Sequence, residues 1–231
     1  MIFRKLTGNN ILRVTISVCI ILVIIIYFHF RPNSWPVGSE ALGCLASLIL
    51  LATTALLLWI MRYKINTGLQ QRNVALGLYF GLLWTIEISI NNLIRPDLPF
   101  RDLLDNIIWA IIALLILTTA TRFAIRTKSI LEGVRSGFWS GLSCGAVACL
   151  TALLYIVFGM KYILLDPPNI KEWDVFKATS NSPGMDVYFA YQTFAGAIMH
   201  LFILGAIMGL LLGLIGGVLG KTLRIKRNQS D

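Results

Sequence analysis

GVRSGFWSGLSCGAVAC, residues 133–149, places a glycine at every fourth position of a largely apolar run. The later segment GAIMGLLLGLIGG, residues 205–217, repeats this spacing. Small residues four apart lie on one face of a helix and let two helices approach closely in lipid. The spacing predicts membrane helices that pack through their glycines. With a shorter pair on an earlier segment, the glycines assigned to this packing are Gly77, Gly81, Gly137, Gly141, Gly145, Gly205, Gly209, Gly213 and Gly217.

The composition of the whole chain is that of a membrane protein. Of its 231 residues 57% are hydrophobic, and the mean hydropathy is +0.76, whereas soluble domains are about 45 to 50% apolar. A helix of about 20 apolar residues crosses a hydrocarbon core of about 30 Å. We therefore expect one all-α integral membrane domain over residues 1–231, a polytopic bundle of six transmembrane helices. The predicted spans are 12–30, 41–61, 74–94, 103–121, 134–158 and 190–220, and an outer loop covers 159–189.

The basic residues set the expected orientation, because Lys and Arg collect in cytoplasmic loops near helix ends. The net charge is +9, and most of the 20 Lys and Arg residues fall where the predicted spans reach one side. This asymmetry predicts that both termini are cytoplasmic, in a bacterial-type cell (inner) membrane. The other side would hold only Arg31, Arg95, Arg101, Lys161, Lys171 and Lys177.

The same charges bear on the expected partners. The cations are spread over short loops and no folded basic module displays them, so nucleic-acid binding is not expected. The basic run that ends the last predicted span would instead lie at an anionic lipid surface. The lipid bilayer is therefore the expected partner, and a membrane-protein partner or a second copy of the chain remains open.

The sequence gives no indication of a metal centre, a cofactor or a catalytic site. Its cysteines lie within predicted spans without a CxxC spacing, and its two histidines lie on different helices. The segment 213–222 misses the phosphate-loop spacing by one residue, and residues 137–141 do not form a nucleophile elbow. We expect no bound metal and no cofactor, and no enzymatic reaction is indicated.

One acidic side chain, Glu87, lies inside a predicted span, where a carboxyl group is costly and is a functional candidate by default. It belongs to a stripe of polar and aromatic residues at three- and four-residue steps along the third helix. Residues on other helices can face this stripe from the outer half of the membrane. The candidate ligand-binding residues are Glu87, Asn91, Trp84, Arg95, Asn106, Trp109, Gln192 and His200. They predict an outward-facing polar cavity, in which Glu87 exchanges a proton as a solute or an ion binds; alternatively, Glu87 only hydrogen-bonds a neighbouring helix.

Two functions remain open at this point. The polar cavity around Glu87 favours a solute- or ion-binding or transport subunit. In size and topology alone, the chain looks like the substrate-binding subunits of energy-coupling-factor transporters. The alternative is a non-catalytic assembly or regulatory subunit that binds a partner through its glycine-striped helices. The loop 159–189 would be a lid over the cavity, or an interfacial tether with Trp173 and Phe176 inserted in the membrane.

Overall fold

The computed structural model describes residues 7–30, 39–60, 68–93, 100–178 and 184–228, and within these ranges the chain is all-helical, without strands. This confirms the predicted all-α class for the described residues. The last two α-helices and the π-helix between them follow one another without a break. The helices are α1 (Gly8–His29), α2 (Ser39–Ile60), α3 (Gly68–Leu93), α4 (Arg101–Thr127), α5 (Ile130–Phe158), α6 (Met160–Leu165), α7 (Pro167–Lys177), α8 (Met185–Met199), a π-helix (His200–Ile207) and α9 (Met208–Asn228).

Five helical stretches of the described chain are long and apolar enough to cross a membrane. This supports a multi-pass integral membrane protein. The sixth predicted span, 41–61, coincides with α2, within which Ala46–Ile60 is a shorter apolar stretch; a sixth crossing therefore stays a prediction, as does the orientation of the termini. The five stretches are Gly8–His29, Gln70–Ile90, Arg101–Thr127, Ile130–Phe158 and Met185–Leu223.

Helix boundaries differ from the predicted ones where polar residues start or extend a helix. The fifth predicted span, 134–158, begins earlier, at Ile130, because the Ser129 side chain accepts a hydrogen bond from the Glu132 backbone N–H at 3.4 Å. The region 159–189 is also more helical than a loop, since α6, α7 and the first turn of α8 lie within it. Two prolines occupy the first turn of α7, where an absent backbone N–H removes no helical hydrogen bond.

The helix α5 lies at the centre of the bundle, since 61% of its apolar window is buried, more than in the other spans. An apolar cluster on one side joins it to α1, α2 and α8 and includes Leu12, Leu51, Leu153 and Phe194. A second cluster joins it to α3 and α4 through residues such as Phe80, Trp84, Ile112 and Cys144. Because α5 contacts nearly every long helix, its small side chains decide how closely the others approach.

The glycine stripes of α5 and of the last helical stretch pack against each other within the chain. A Cβ atom added at Gly137 would lie 2.4 Å from the Gly209 carbonyl oxygen and 2.4 Å from the Gly213 Cα. A Cβ at Gly141 would lie 2.2 Å from the Gly205 carbonyl oxygen. Real Cβ atoms do not come this close to backbone atoms, so only glycine permits this contact.

The bundle has two ends, which we name after the residues that lie there. At the Gly8 end, α1 meets the end of α2, where Arg13 donates a hydrogen bond from Nε to the Leu58 carbonyl oxygen at 3.0 Å. At the Arg101 end, α4 begins, and Arg101 reaches the segment between α6 and α7. In the predicted orientation the Gly8 end is cytoplasmic and the Arg101 end is external.

Candidate functional site

Close packing of α3 on α5 turns the Glu87 stripe into the bundle. A Cβ at Gly77 would lie 2.2 Å from the Ser140 carbonyl oxygen, so the two helices are in backbone contact. Two turns further along, the hydroxyl groups of Thr85 and Thr151 hydrogen-bond at 2.9 Å. Glu87, two residues after Thr85, is buried with 4% of its surface exposed.

Trp84, one turn before Glu87, belongs to a cluster of three aromatic rings from three helices. Its indole meets the indole of Trp109 on α4 edge to face, with 5.4 Å between ring centroids. The imidazole of His200, the first residue of the π-helix, lies 5.3 Å from Trp84 and 6.0 Å from Trp109. The structure therefore brings together Trp84, Trp109 and His200, with Glu87 one helical turn away. We call these four residues the Trp84 site.

The hydrogen-bonding atoms of the Trp84 site are arranged unusually. His200 Nδ1 lies 2.7 Å from the Gly196 carbonyl oxygen. Because a carbonyl only accepts, Nδ1 carries the proton, and Nε2 of the neutral ring is an acceptor. Within the described part of the chain, neither His200 Nε2 nor the Trp84 Nε1–H group has a hydrogen-bond partner, although both atoms are buried.

Such buried groups carry a cost in stability. An unsatisfied donor or acceptor that is removed from water costs about 1 to 3 kcal/mol, and proteins keep few of them. Here a donor and an acceptor belong to rings in direct contact. A water or a solute that reached either atom would satisfy it.

The backbone at His200 departs from the regular α-helix. Residues His200–Ile207 form a π-helix, with i→i+5 hydrogen bonding, inside the last helical stretch, and π segments in α-helices are frequent at functional sites. The facing residue of α5 is Gly145, where a Cβ would lie 2.5 Å from the His200 carbonyl oxygen. Sequence reasoning predicted one regular helix over 190–220 and missed this feature, since helical periodicity alone does not reveal an inserted residue.

Asp105 is a second acidic group near the site, and the sequence analysis assigned it no binding role. It lies four residues before Trp109 on α4, one turn along the same face. In the sequence, the four-residue spacing between Asp105 and Trp109 is the signal that places both on one helix face. An acidic residue near the start of a helix accounts for Asp105 equally well.

Two of the predicted ligand-binding residues make their contacts elsewhere. Asn106 is exposed and donates a hydrogen bond from Nδ2 to the Asp102 carbonyl oxygen at 2.8 Å. Gln192 is also exposed and donates from Nε2 to the Glu172 carboxylate of α7 at 2.6 Å. Eight residues separate Gln192 from His200, but the chain between them does not keep both side chains in one site.

The side chains of two further predicted ligand-binding residues, Asn91 and Arg95, lie outside the described part of the structure. The backbone of Asn91 continues α3, and Arg95 lies outside the described residues. Of the stripe, the structure therefore describes the side chains of Trp84 and Glu87. Whether Asn91 and Arg95 belong to the site stays a prediction.

The segment at the Arg101 end is anchored by polar and aromatic contacts. The carboxylate of Asp166, between α6 and α7, is buried and lies 3.7 Å from Arg101 Nη2. Burial raises the pKa of Asp166 above 3.8, and the Arg101 guanidinium opposes this rise. On α7, Trp173 and Phe176 pack on the Tyr188 ring of α8, at 5.8 and 4.2 Å. These contacts hold α7 on the bundle.

The structure also has a cavity away from the Trp84 site. It lies between α1 and α8 and encloses about 300 Å³, its open mouth included. Its lining is apolar, with Ile26, Phe30 and Phe194 among its residues, and Glu87 does not line it. Among the described residues, no group of three or more His, Cys, Asp or Glu side chains is placed to hold a metal ion.

Comparison with protein-family models, curated proteins and solved structures finds no match for this chain. The class of protein therefore follows from the fold and the site alone. Several long apolar helices around a glycine-lined central helix define a multi-pass integral membrane protein.

Proposed function

We propose that this membrane protein is a binding or transport subunit that takes a small polar solute or an ion at the Trp84 site. Two buried nitrogen atoms carry the proposal, Trp84 Nε1 and His200 Nε2, which have no hydrogen-bond partner among the described residues. Their rings are in contact, and the buried carboxyl group of Glu87 lies one helical turn from Trp84. A membrane bundle retains such groups where they contact a substrate, an ion or water. Proton exchange at Glu87 on binding is part of the proposal.

The same contacts make the assembly alternative less well supported. In that alternative the glycine stripes bind a partner or a second copy of the chain. Gly137 and Gly141, however, already lie against Gly205, Gly209 and Gly213 of the same chain. A partner that used these stripes would have to displace the last helix from α5.

The proposal is tested with the purified full-length protein and a panel of small solutes grouped by charge. Thermal unfolding in detergent is measured with each solute, since a ligand of the folded state raises the unfolding temperature. The proposal expects one charge group to stabilise the protein, and expects Trp84→Phe and Glu87→Gln to weaken this effect. Trp59→Phe is the matched control, because Trp59 is 54% exposed on α2. The proposal fails if no solute stabilises the protein, or if all three variants respond as the unmodified chain does.

Partner and orientation form the second part of the proposal. Both termini would be cytoplasmic, in a bacterial-type cell membrane, and α7 would lie on the external face. Alkaline phosphatase fused after Lys177 should be active, and a fusion after Asp231 should be inactive, because this reporter folds only outside the cytoplasm. Mild-detergent purification from native membranes then identifies partners. A copurifying ATPase or other transport component supports the subunit proposal, and a non-transport complex supports assembly.

A further inference from the structure

The α4 helix and the last helical stretch are in close contact in the half of the bundle toward the Gly8 end. A Cβ atom added at Gly216 of α9 would lie 2.8 Å from the Ala120 Cβ and 2.9 Å from the Leu117 carbonyl oxygen, both of α4. Nearer the Arg101 end the two stretches have different main neighbours, since α8 packs on α5, α6 and the π-helix, whereas α4 packs mainly on α3, α5 and α9. The relative position of α4 and α8 at that end therefore depends on the groups that connect them there.

One connection runs from α4 to the junction of α6 and α7. The buried Asp166 carboxylate of this junction lies 3.7 Å from Nη2 of Arg101, the first residue of α4. In the first turn of α7, Asn169 donates a hydrogen bond from Nδ2 to the Ile163 carbonyl oxygen of α6 at 2.8 Å. Because this bond ties α7 to α6, the ion pair fixes both short helices to α4.

A second connection runs from α7 to α8. The Glu172 carboxylate accepts hydrogen bonds from the Tyr188 hydroxyl group at 2.7 Å and from Gln192 Nε2 at 2.6 Å. The rings of Trp173 and Phe176 pack on the Tyr188 ring. The segment formed by α6 and α7 is therefore bound to α4 on one side and to α8 on the other.

Both connections lie at the same distance along the helices from the Trp84 site. Arg101 precedes Trp109 by eight residues on α4, and Gln192 precedes His200 by eight residues on the last helical stretch. At 1.5 Å per residue each interval is about 12 Å long, or about two helical turns. The bridge formed by α6 and α7 thus lies between the Arg101 end and the contact of the Trp109 and His200 rings, whose centroids are 6.0 Å apart.

We infer that α6 and α7 form a clamp that holds α4 and α8 together and closes the Trp84 site toward the Arg101 end. When either connection is released, α4 and α8 separate at this end, and water reaches the ring cluster. The role of the clamp as a gate rests on the proposed function, because it controls entry to the same site. Its test uses no solute, so the clamp and solute binding can fail separately.

The Cys144 thiol reports on this opening. Cys144 is fully buried, belongs to the same apolar cluster as Trp84 and directly precedes Gly145, which faces the His200 carbonyl. The experiment measures the rate at which a water-soluble maleimide modifies Cys144 in the purified full-length protein, with the other three cysteines replaced by alanine. Only the thiolate reacts, and it forms where water reaches the sulfur. The rate therefore measures how often the cluster opens to water.

Single variants release each connection in turn. Arg101→Gln removes the charge that pairs with Asp166, and Tyr188→Ala removes the ring and the hydroxyl group that hold α7. Each should raise the modification rate about tenfold, because a hydrogen bond to a charged group is worth about that factor. Asp174→Ala is the matched control and should leave the rate unchanged, because the ion pair of Asp174 with Lys177 lies within α7.

The double variant tests whether the two connections act in series. Release of either connection opens a clamp, so the rates of the two routes add. The double variant should then react at most about twice as fast as the faster single variant, whereas independent stabilising contacts would multiply to about a hundredfold. Size-exclusion chromatography shows whether each variant is folded. Tyr188→Phe, which keeps the ring and removes the hydroxyl group, replaces Tyr188→Ala if that variant does not fold.

A destabilised variant away from the clamp separates local opening from global unfolding. Leu12→Ala truncates a buried side chain in the other apolar cluster and lowers the stability of the whole bundle, but it should leave the rate unchanged. The inference is overturned if Leu12→Ala accelerates modification as much as the clamp variants do, if Arg101→Gln and Tyr188→Ala leave the rate unchanged, or if their effects multiply. Solute binding is then still decided by the charge panel. If the clamp variants behave as expected and no solute binds, the proposed function fails and the clamp stands.

Discussion

The imidazole of His200 packs against the indole of Trp84 with 5.3 Å between ring centroids, although one residue begins the π-helix and the other lies within α3. Each ring carries a buried nitrogen atom that has no hydrogen-bond partner among the described residues. The position of His200 depends on its backbone, since the His200 carbonyl faces Gly145 of α5. The geometry of the site therefore depends on Gly145, although Gly145 itself has no side chain that could contact a ligand.

The first prediction concerns Gly145. A Cβ at this position would lie 2.5 Å from the His200 carbonyl oxygen and 3.0 Å from the Leu201 Cα, both backbone atoms. Gly145→Ala should therefore displace the π-helix, lower stability by about 1 to 3 kcal/mol and change the near-ultraviolet circular dichroism of the tryptophans. Gly196→Ala is the control, because a Cβ there meets no atom within 4 Å. Equal stability and equal spectra for both variants would contradict this account.

A second prediction separates packing within the chain from packing between chains. Gly141→Leu places a branched side chain where even a Cβ would lie 2.2 Å from the Gly205 carbonyl oxygen and 2.7 Å from the Gly209 Cα. We expect this variant to lose its cooperative thermal unfolding in detergent, because α5 can no longer contact the last helix. Light scattering coupled to chromatography measures the mass of the surviving folded protein. A stable variant that only changes from dimer to monomer would instead place the stripe at a subunit interface.

A feature of this fold can be predicted from the sequence when it is local, that is, when it depends only on residues within one helix. Glycines at every fourth residue mark which face of α5 lacks side chains, and apolar length marks a span; both are local properties. That Gly137 lies against Gly213 is not local, because any small-residue face could have been its partner.

The candidate site was harder to predict than the fold. Three- and four-residue steps placed Trp84 and Glu87 on one face, and helical spacing suggested that Trp109 could face them. The same spacing grouped Gln192 with His200, yet Gln192 bonds Glu172. A π-helix follows from packing against a neighbouring helix, so the amino-acid pattern around His200 contains no direct sign of it.

A third prediction measures the hydrogen bond between Thr85 and Thr151, which joins α3 to α5 at 2.9 Å. Hydrogen bonds between membrane helices contribute about 0.6 kcal/mol on average, because unpaired groups in the unfolded membrane state also find partners. We expect a double-mutant cycle of Thr85→Val and Thr151→Val to give a coupling energy near this value in reversible unfolding. Additive effects of the two substitutions would mean that the hydroxyl groups contribute independently.

The last prediction concerns the pH dependence of stability at the Arg101 end. Burial raises the pKa of Asp166 above its ordinary value of 3.8, despite the opposing Arg101 guanidinium 3.7 Å away. The folded state therefore binds the proton more tightly than the unfolded state, and stability falls as pH rises from about 3.8 through the raised pKa. Asp166→Asn should remove this fall, and Arg101→Gln should enlarge it and shift it to higher pH. Thermal unfolding is measured from acidic to neutral pH, with Asp174→Asn as control, because Asp174 and Lys177 form an ion pair with both side chains more than half exposed. An unchanged pH profile in Asp166→Asn would show that the carboxylate is as well solvated in the folded protein as in the unfolded chain.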